Sequence, residues 1–426
     1  MIDTKALREK ILDLAMSGKL TNGLVIEKPK IKKLGEVCEI ARGGSPRPIK
    51  SFLTEISTGV NWIKIGDTQV GDKYITSTQE KIIPEGLSKT RQVFKGDFLL
   101  SNSMSFGRPY ILKIDGAIHD GWLVISNFKE TFEENFLYHL LSSSFVKKQF
   151  INLATGSTVK NLNKERVASV EVPIFSLDEQ ERIVAKIEEL FSLIDVIEQE
   201  TAAYEALAKQ LDSKVLYLAM KGKLVPQDPT DEPASELLKR IKEEKERLIR
   251  EKKIKKEKAL PEITEEEKPY DIPNNWEWSR FQSVTINRDF ERIPVSISER
   301  RKREKKYNYY GASGIIDKID SYLFEKSLLL IAEDGENLRS RKTPVAFIAS
   351  GKYWVNNHAH VVDSLKIETL KFLEMYLNSI SLLTYITGSA QPKMNQQNLG
   401  KILTPIPPLL EQNRIIMKVN EIRRYL

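Results

Sequence analysis

The chain contains itself twice, out of register with its own ends. Residues 7–20, LREKILDLAMSGKL, return as residues 211–224, LDSKVLYLAMKGKL, at an offset of 204. Residues 173–188, PIFSLDEQERIVAKIE, return as residues 405–420, PIPPLLEQNRIIMKVN, at an offset of 232. Upstream of the second pair, Thr155-Gly156-Ser157 with Asn163 is echoed by Thr387-Gly388-Ser389 with Asn395. A repeat this long is not a solenoid unit; it is a duplicated domain plus a duplicated connector. The order is connector end, domain, whole connector, second domain, connector start. Such a circularly permuted tandem implies a pseudo-two-fold axis, which suits a two-fold object such as duplex DNA.

The connector carries its own period. From Ile183 the stripe runs through Ile187, Leu190, Ile194, Ile197, Thr201, Tyr204, Ala208, Leu211, Val215 and Leu218, in steps of four and three. That is a coiled-coil seam of about five heptads. Ile415, Val419, Ile422 and Leu426 keep the phase at one end of the chain, and Leu7, Ile11 and Leu14 at the other. A helix over 177–221 would be on the order of 65 Å long and needs an antiparallel partner, which the two terminal fragments supply. An ordinary core helix or a homodimer zipper is the plainer alternative. Leu426 is equivalent to Ile194 and Met1 to Glu205, so equivalents of 195–204 are missing from the partner, which is either two shorter pieces or a truncated helix.

The fold expected is α+β: two mixed α/β domains joined by long antiparallel coiled-coil helices. Residues 1–21 are one part of the distal helix region, and 31–173 a first domain with helices near 134–153 and 160–166. Residues 174–258 form the central helical region, 259–275 a linker rich in Pro and acidic residues, 276–405 a second domain with a helix near 366–382, and 406–426 the distal helix. Within the central region, 235–258 holds 11 Lys or Arg against 6 Glu. It reads as a solvated helix with many i,i+4 pairs, or as a surface that touches DNA phosphates.

Absences narrow the chemistry. No G-x-x-x-x-G-K-[ST] phosphate loop occurs, and Pro407-Pro408 is followed by Leu409 rather than the aromatic of an amino-methyltransferase tetrapeptide. One cysteine, Cys38, excludes a disulfide framework and points to a reducing compartment. No run of 18 apolar residues or signal peptide is seen, so the expectation is a soluble, cytoplasmic chain away from membranes. Four histidines offer little metal-ligand spacing. His358-x-His360 on an expected strand would share a face, and Glu333-Asp334-Gly335 could be imagined in a nuclease centre, although a turn explains it as well. No catalytic residue is identified. The net charge of +7 leans towards a polyanionic partner.

What both domains do offer is polar, glycine-punctuated loops whose Arg, Asn, Gln and Ser could pair with base edges while Lys, Ser and glycine amides hold phosphates. In the first domain the candidates are Arg42, Gly43, Ser45, Arg47, Lys64, Asn102, Ser103, Ser105, Arg108, Ser157, Lys160 and Asn161. In the second they are Tyr310, Ser313, Asn337, Arg339, Arg341, Asn356, Asn357, His358, His360, Ser389, Gln391 and Lys393. Each could equally be an ordinary loop residue.

With FKGDFLLSNSMSFGR (94–108), TGSTVKNLN (155–163), IPNNWEW (272–278), YYGASGIID (309–317), FIASGKYWVNNHAHV (347–361) and GSAQPKMNQQNL (388–399) in view, the chain resembles the specificity subunit of type I restriction-modification enzymes over nearly its whole length. The resemblance implies two target-recognition domains that read an asymmetric bipartite duplex target, and a scaffold without catalysis of its own. Two modification subunits would methylate adenine, and restriction subunits would join them. S-adenosylmethionine, ATP and Mg would be bound by those partner subunits, so the chain itself needs no cofactor and no metal. Half-sites one helical turn apart leave an unread gap of about five to eight base pairs. A self-sufficient nuclease or methyltransferase, or a helical protein adaptor without DNA contact, are the competing readings.

Overall fold

The repeat in the sequence is a repeat of topology. The computed structural model describes residues 2–21, 29–69, 71–102, 107–153 and 162–426, and the chain divides into two units, Met1–Ala202 and Ala203–Leu426. In the first unit an antiparallel ribbon pairs Lys30–Lys33 with Glu171–Ile174. The main sheet runs Glu39–Arg42, Trp122–Ser126, Phe98–Ser101, Pro109–Leu112 and Tyr74–Ile75. The second unit repeats this: a ribbon of Glu277–Arg280 with Leu403–Ile406, then a sheet of Ile286–Asn287, Ala359–Asp363, Leu328–Ala332 and Ala346–Ala349. In both, the first strand pairs with the last of the sheet, and the last also pairs with the first strand of a hairpin. A second sheet in each carries one parallel pair, Val60–Ile63 with Gly116–Ile118 and Tyr307–Gly311 with Tyr353–Val355.

Alternation explains the sheets. Phe98, Leu100, Leu123 and Ile125 turn to the helical side of the first unit, while Leu99, Trp122 and Val124 fill a second cluster on the opposite face. Such strands are buried on both faces and read as continuous apolar runs. Leu329, Ile331 and Val362 hold the same place in the second unit against Phe372, Leu373 and Tyr376 of helix Ile367–Ser379.

The central helix spans Leu177–Met220, one residue short of the range expected. Its two ends repeat each other's packing. Ile183, Val184 and Ile187 are buried in the first unit, and Ile415, Ile416 and Val419 of helix Leu409–Arg423, their equivalents at the 232 offset, are buried in the second. Ile11, Leu12, Ala15 and Met16 of helix Thr4–Met16 correspond at the 204 offset to Val215, Leu216, Ala219 and Met220, and all eight are buried. Antiparallel pairing shows in the ion pairs: Arg8 with Asp195 and Glu198 in the first unit, Arg423 with Asp212 in the second. The seam itself is not continuous. Tyr204 and Leu211 are 54% and 45% exposed. The Tyr204 hydroxyl donates to the Tyr425 carbonyl, where its partner helix has already ended.

Three boundaries differ from expectation. The helix near 134–153 is two, Glu134–Ser142 and Ser144–Leu153, because Ser143 is extended and its hydroxyl takes the Leu140 carbonyl. The helix near 160–166 is Lys164–Ala168, started by Asn163, whose side chain accepts the Arg166 N–H. Asn395 does the same for Asn398 at the head of Gln396–Lys401, so the echoed asparagines are helix caps. The charged helix is Ala234–Arg250 and stops eight residues early. Lys252 takes a left-handed conformation, φ 55°, with Lys252 N–H on the Ile249 carbonyl and Lys253 N–H on the Leu248 carbonyl. That is a Schellman terminator with lysine in the glycine place. Nor is this helix wholly solvated: Ala234, Leu237 and Ile241 join the core. No helix among the described residues is long and apolar enough to cross a membrane.

Candidate nucleic-acid interface

In each unit the same backbone bonds gather the glycine-punctuated loops at one end of the main sheet. In the first, the Asn102 N–H donates to the Gly121 carbonyl and the Asn102 carbonyl accepts from Leu162 N–H. In the second, the Glu333 N–H donates to the His358 carbonyl and the Glu333 carbonyl accepts from Met394 N–H. The residue just past the first strand of the hairpin thus ties the loop before the last strand to the loop that precedes the capped helix. Repeated geometry at this point is what a duplicated recognition site requires.

In the first unit the residue at this point is a neutral amide, with one carboxylate, Asp120, beside it. Asn102 is buried, and its amide donates to the Asp120 carbonyl. Gly43 is there for a close approach: a Cβ would fall 2.2 Å from the His119 carbonyl oxygen. Asp120 collects Ser45 Oγ and His119 Nε2, each at 3.0 Å, and lies 3.9 Å from Arg47, which is 85% exposed. Arg42 donates from Nε to the Asp120 carbonyl. Lys64 is engaged by Glu80 at 2.8 Å. Arg108 is half-buried, and its N–H donates to Ser101 Oγ. Ser103, Ser105, Ser157, Lys160 and Asn161 lie outside the described residues.

The second unit closes its base with charge. His360 is 1% exposed, with Nδ1 2.6 Å from Asp289 Oδ2 and Nε2 2.8 Å from the Met394 carbonyl. Both neighbours are acceptors, so both ring nitrogens donate and the ring is an imidazolium. Burial alone would push its pKa down; the Asp289 carboxylate, the Met394 carbonyl and the charge of Glu333 outweigh it and hold it above the ordinary histidine value. Glu333 in turn takes Arg292 at 2.8 Å and Lys393 at 3.2 Å. Burial would raise both Asp289 and Glu333, but His360 and Arg292 hold both below the ordinary carboxylate range.

Several candidates are therefore structural. His360 and Asn356 are buried, the latter accepting the His358 N–H on its side chain. His358 and His360 do not share a strand face, because a turn at 357–358 breaks the expected strand; His358 sits exposed on Asp334 at 2.8 Å. Asn337 closes its own loop through both polar atoms of Thr343's backbone. Arg341 is half-buried in a left-handed conformation, and its Nη2 donates to the Leu377 and Ile380 carbonyls at the end of a helix. Arg339 donates to the Gly388 and Ser389 carbonyls and so orders the next loop. Tyr310 is half-buried, stacked on Phe347. Exposed on the gathered loops are Ser313, Asn357, His358, Ser389, Gln391 and Lys393. Missed from the sequence were Asp120, Asp289 and Arg292. The adjacent His119-Asp120 dyad was the one available signal; Asp289 and Arg292 lie far in sequence from the loops they support.

The comparisons with known proteins agree with one another. A family model for the type I restriction modification DNA specificity domain matches residues 26–206 and 273–422. The EcoAI specificity subunit of Escherichia coli is 27% identical over 67% of this chain and 59% of its own length. The EcoEI specificity subunit of the same organism is 30% identical over 51% of the chain and 40% of its length. The matches thus span about three-fifths or less of these relatives. Among solved structures, a chain described under complex assembly and conformational transition of the type I R-M system aligns with a TM-score of 0.65 at 18% identity, covering 93% of this chain and 90% of that one. The HsdS subunit from Thermoanaerobacter tengcongensis aligns at 0.56 and 18%, covering 93% and 89%. With two matched regions that fall one in each half of a duplicated fold, the chain belongs to the type I restriction-modification DNA specificity family.

Proposed function

We propose that this chain is the DNA-reading subunit of a type I restriction-modification complex, each unit reading one half of a bipartite duplex target. The observation that carries this is the pair of loop clusters gathered by identical backbone bonds, Asn102 in one unit and Glu333 in the other. Their exposed residues differ, Arg42 and Arg47 against Asn357, His358, Gln391 and Lys393, so the two half-sites differ and the target is asymmetric. Asn, Gln, Arg and Lys are the side chains that pair bidentately or by charge with base edges in the major groove.

The chain itself is a scaffold without catalysis. Modification subunits supply methyl transfer from S-adenosylmethionine and restriction subunits supply cleavage, with ATP and Mg. The relatives' names, which are those of specificity subunits, support this division of labour. The test is a mixing experiment. Purified chain with S-adenosylmethionine and duplex DNA yields no methylated adenine, and adding the modification subunit yields methylation at one two-part sequence. Methyl transfer by the purified chain alone overturns the proposal.

A further inference from the structure

Past the end of helix Ala234–Arg250 the chain reads Glu251-Lys-Lys-Ile-Lys-Lys-Glu-Lys258, and it does not leave the domain as a linker would. The left-handed Lys252 reverses it. Lys245 then pins it, its ammonium 2.7 Å from Glu257 and donating also to the Gln282 carbonyl, while Gln282 donates to the Lys258 carbonyl. Both acids of the segment are used within the fold, Glu257 by Lys245 and Glu251 by Arg247 and Lys253. Arg250, Lys252, Lys255, Lys256 and Lys258 are exposed, and among the described residues no carboxylate lies within ion-pair reach of them. Five unneutralised cations within nine residues, held on an ordered turn, is not the charge-balanced face that makes a helix soluble.

Position decides what they are for. Lys255 and Lys256 line a groove of about 490 Å³ with Asn287, Phe290, Arg292 and Gln396, and its two acids, Asp289 and Glu257, are already paired with His360 and Lys245. Arg292 is the residue that fixes Glu333 at the base of the second loop cluster, and Gln396 follows directly on Lys393-Met394-Asn395. The cationic turn therefore flanks the second recognition surface within the same unit. We propose that residues 250–258 are a phosphate clamp, which grips the duplex backbone beside the second half-site and adds affinity without reading sequence. This rests on the DNA-reading role proposed above. It also makes the two units unequal: the first joins its corresponding elements through residues 21–29, the second through the much longer 225–276 that carries the clamp.

Counterion release gives the readout. For the full chain on a random-sequence duplex, the logarithm of affinity falls linearly with the logarithm of salt concentration, with a slope of about −0.9 per phosphate held. The combined variant Lys255→Gln, Lys256→Gln, Lys258→Gln shallows that slope by about 0.9 for each phosphate no longer held, on random and target duplexes alike. It leaves the preference for the target unchanged. The Lys→Arg versions retain the slope. Lys252→Gly keeps the turn, since glycine suits a left-handed residue, and still shallows the slope; an unchanged thermal melt shows that charge and not folding was lost. An unchanged slope in the folded glutamine variant overturns the clamp, and if polyglutamate then binds the parent but not the variant, the surface belongs to an acidic protein instead. If the parent chain binds no duplex at all, the DNA-reading role falls with it; intact target preference with an unchanged slope removes the clamp alone.

Discussion

The two units solve one problem with opposite chemistry. Each must hold three loops together at the end of a sheet, and each does so through the residue that follows the first strand of its hairpin. In the first unit that residue is Asn102, a buried neutral amide bonded to a carbonyl. In the second it is Glu333, embedded with His360, Asp289 and Arg292, with the exposed Lys393 at its outer edge. An amide can be satisfied locally and is indifferent to pH. A buried ionic cluster is stable only while its members keep their charge, so the keystone residue is conditional on pH in the second half and not in the first.

Deleting the two keystones is the strongest way to break the comparison. His360→Ala removes the nearer cation of buried Asp289, leaving Arg292 at 3.5 Å, and costs about 3 kcal/mol, the low end of the range for breaking a buried pair. Asn102→Ala removes one donor from the Asp120 carbonyl, which keeps Arg42, and costs about 0.5–1.5 kcal/mol. Denaturant melts of the two variants measure both, and equal losses would mean that charge at the second base adds nothing. Next come the residues proposed to read bases. Asn357→Ala, Gln391→Ala or Lys393→Ala weakens one half-site by about 1–3 kcal/mol for each base left unread, measured by competition between the target and duplexes altered in one half. Equal weakening on random DNA would reassign these residues to phosphates.

The pH response sharpens the contrast further. His360 is held above its ordinary value, so its contribution is complete below about pH 6.5 and is lost as pH rises through its raised folded value. Asp289 and Glu333 are held below theirs, so their contribution is complete above about pH 4.3 and is lost as pH falls through the depressed values. Recognition of the second half-site therefore weakens at both ends of that window, more than recognition of the first. Parallel pH profiles for the two half-sites would contradict this. The smallest effect belongs to the seam: Tyr204→Ala, at an exposed position, changes stability by less than about 0.5 kcal/mol, against about 2–5 kcal/mol for buried Ile187→Ala. Thermal melts compare them, and a large loss at Tyr204 would mean that the stripe is covered after all.

These contrasts also mark what a sequence can disclose. The duplication, the permuted order and the long helix were legible because each rests on local identity or period, and the buried pairs Ile11 with Val215 and Ile187 with Val419 fall where the offsets put them. The seam is shorter than its stripe, with Tyr204 and Leu211 exposed. A heptad stripe records what could be buried, but burial of Tyr204 and Leu211 depends on where the partner ends. Helix ends at Ser143 and Lys252 were illegible, because an extended serine and a left-handed lysine go against what those residue types signal. Within the candidate surface, the glycine-punctuated loops were visible as chemistry, but their division into exposed and supporting residues was not. His358 and His360 look alike in WVNNHAHVV, yet one faces solvent on Asp334 and the other donates inward to Asp289. That difference comes from a residue 71 positions away.

Two separate readers in one chain are the centre of this picture. Methylated sites can be mapped across a genome for the full chain assembled with its modification subunit, first unaltered and then with Gln391→Ala and Lys393→Ala together. The expected result is a two-part asymmetric adenine-methylation motif, of which one part relaxes in the variant while the other stays as it was. A single uninterrupted motif, or loss of definition in both parts at once, would contradict it.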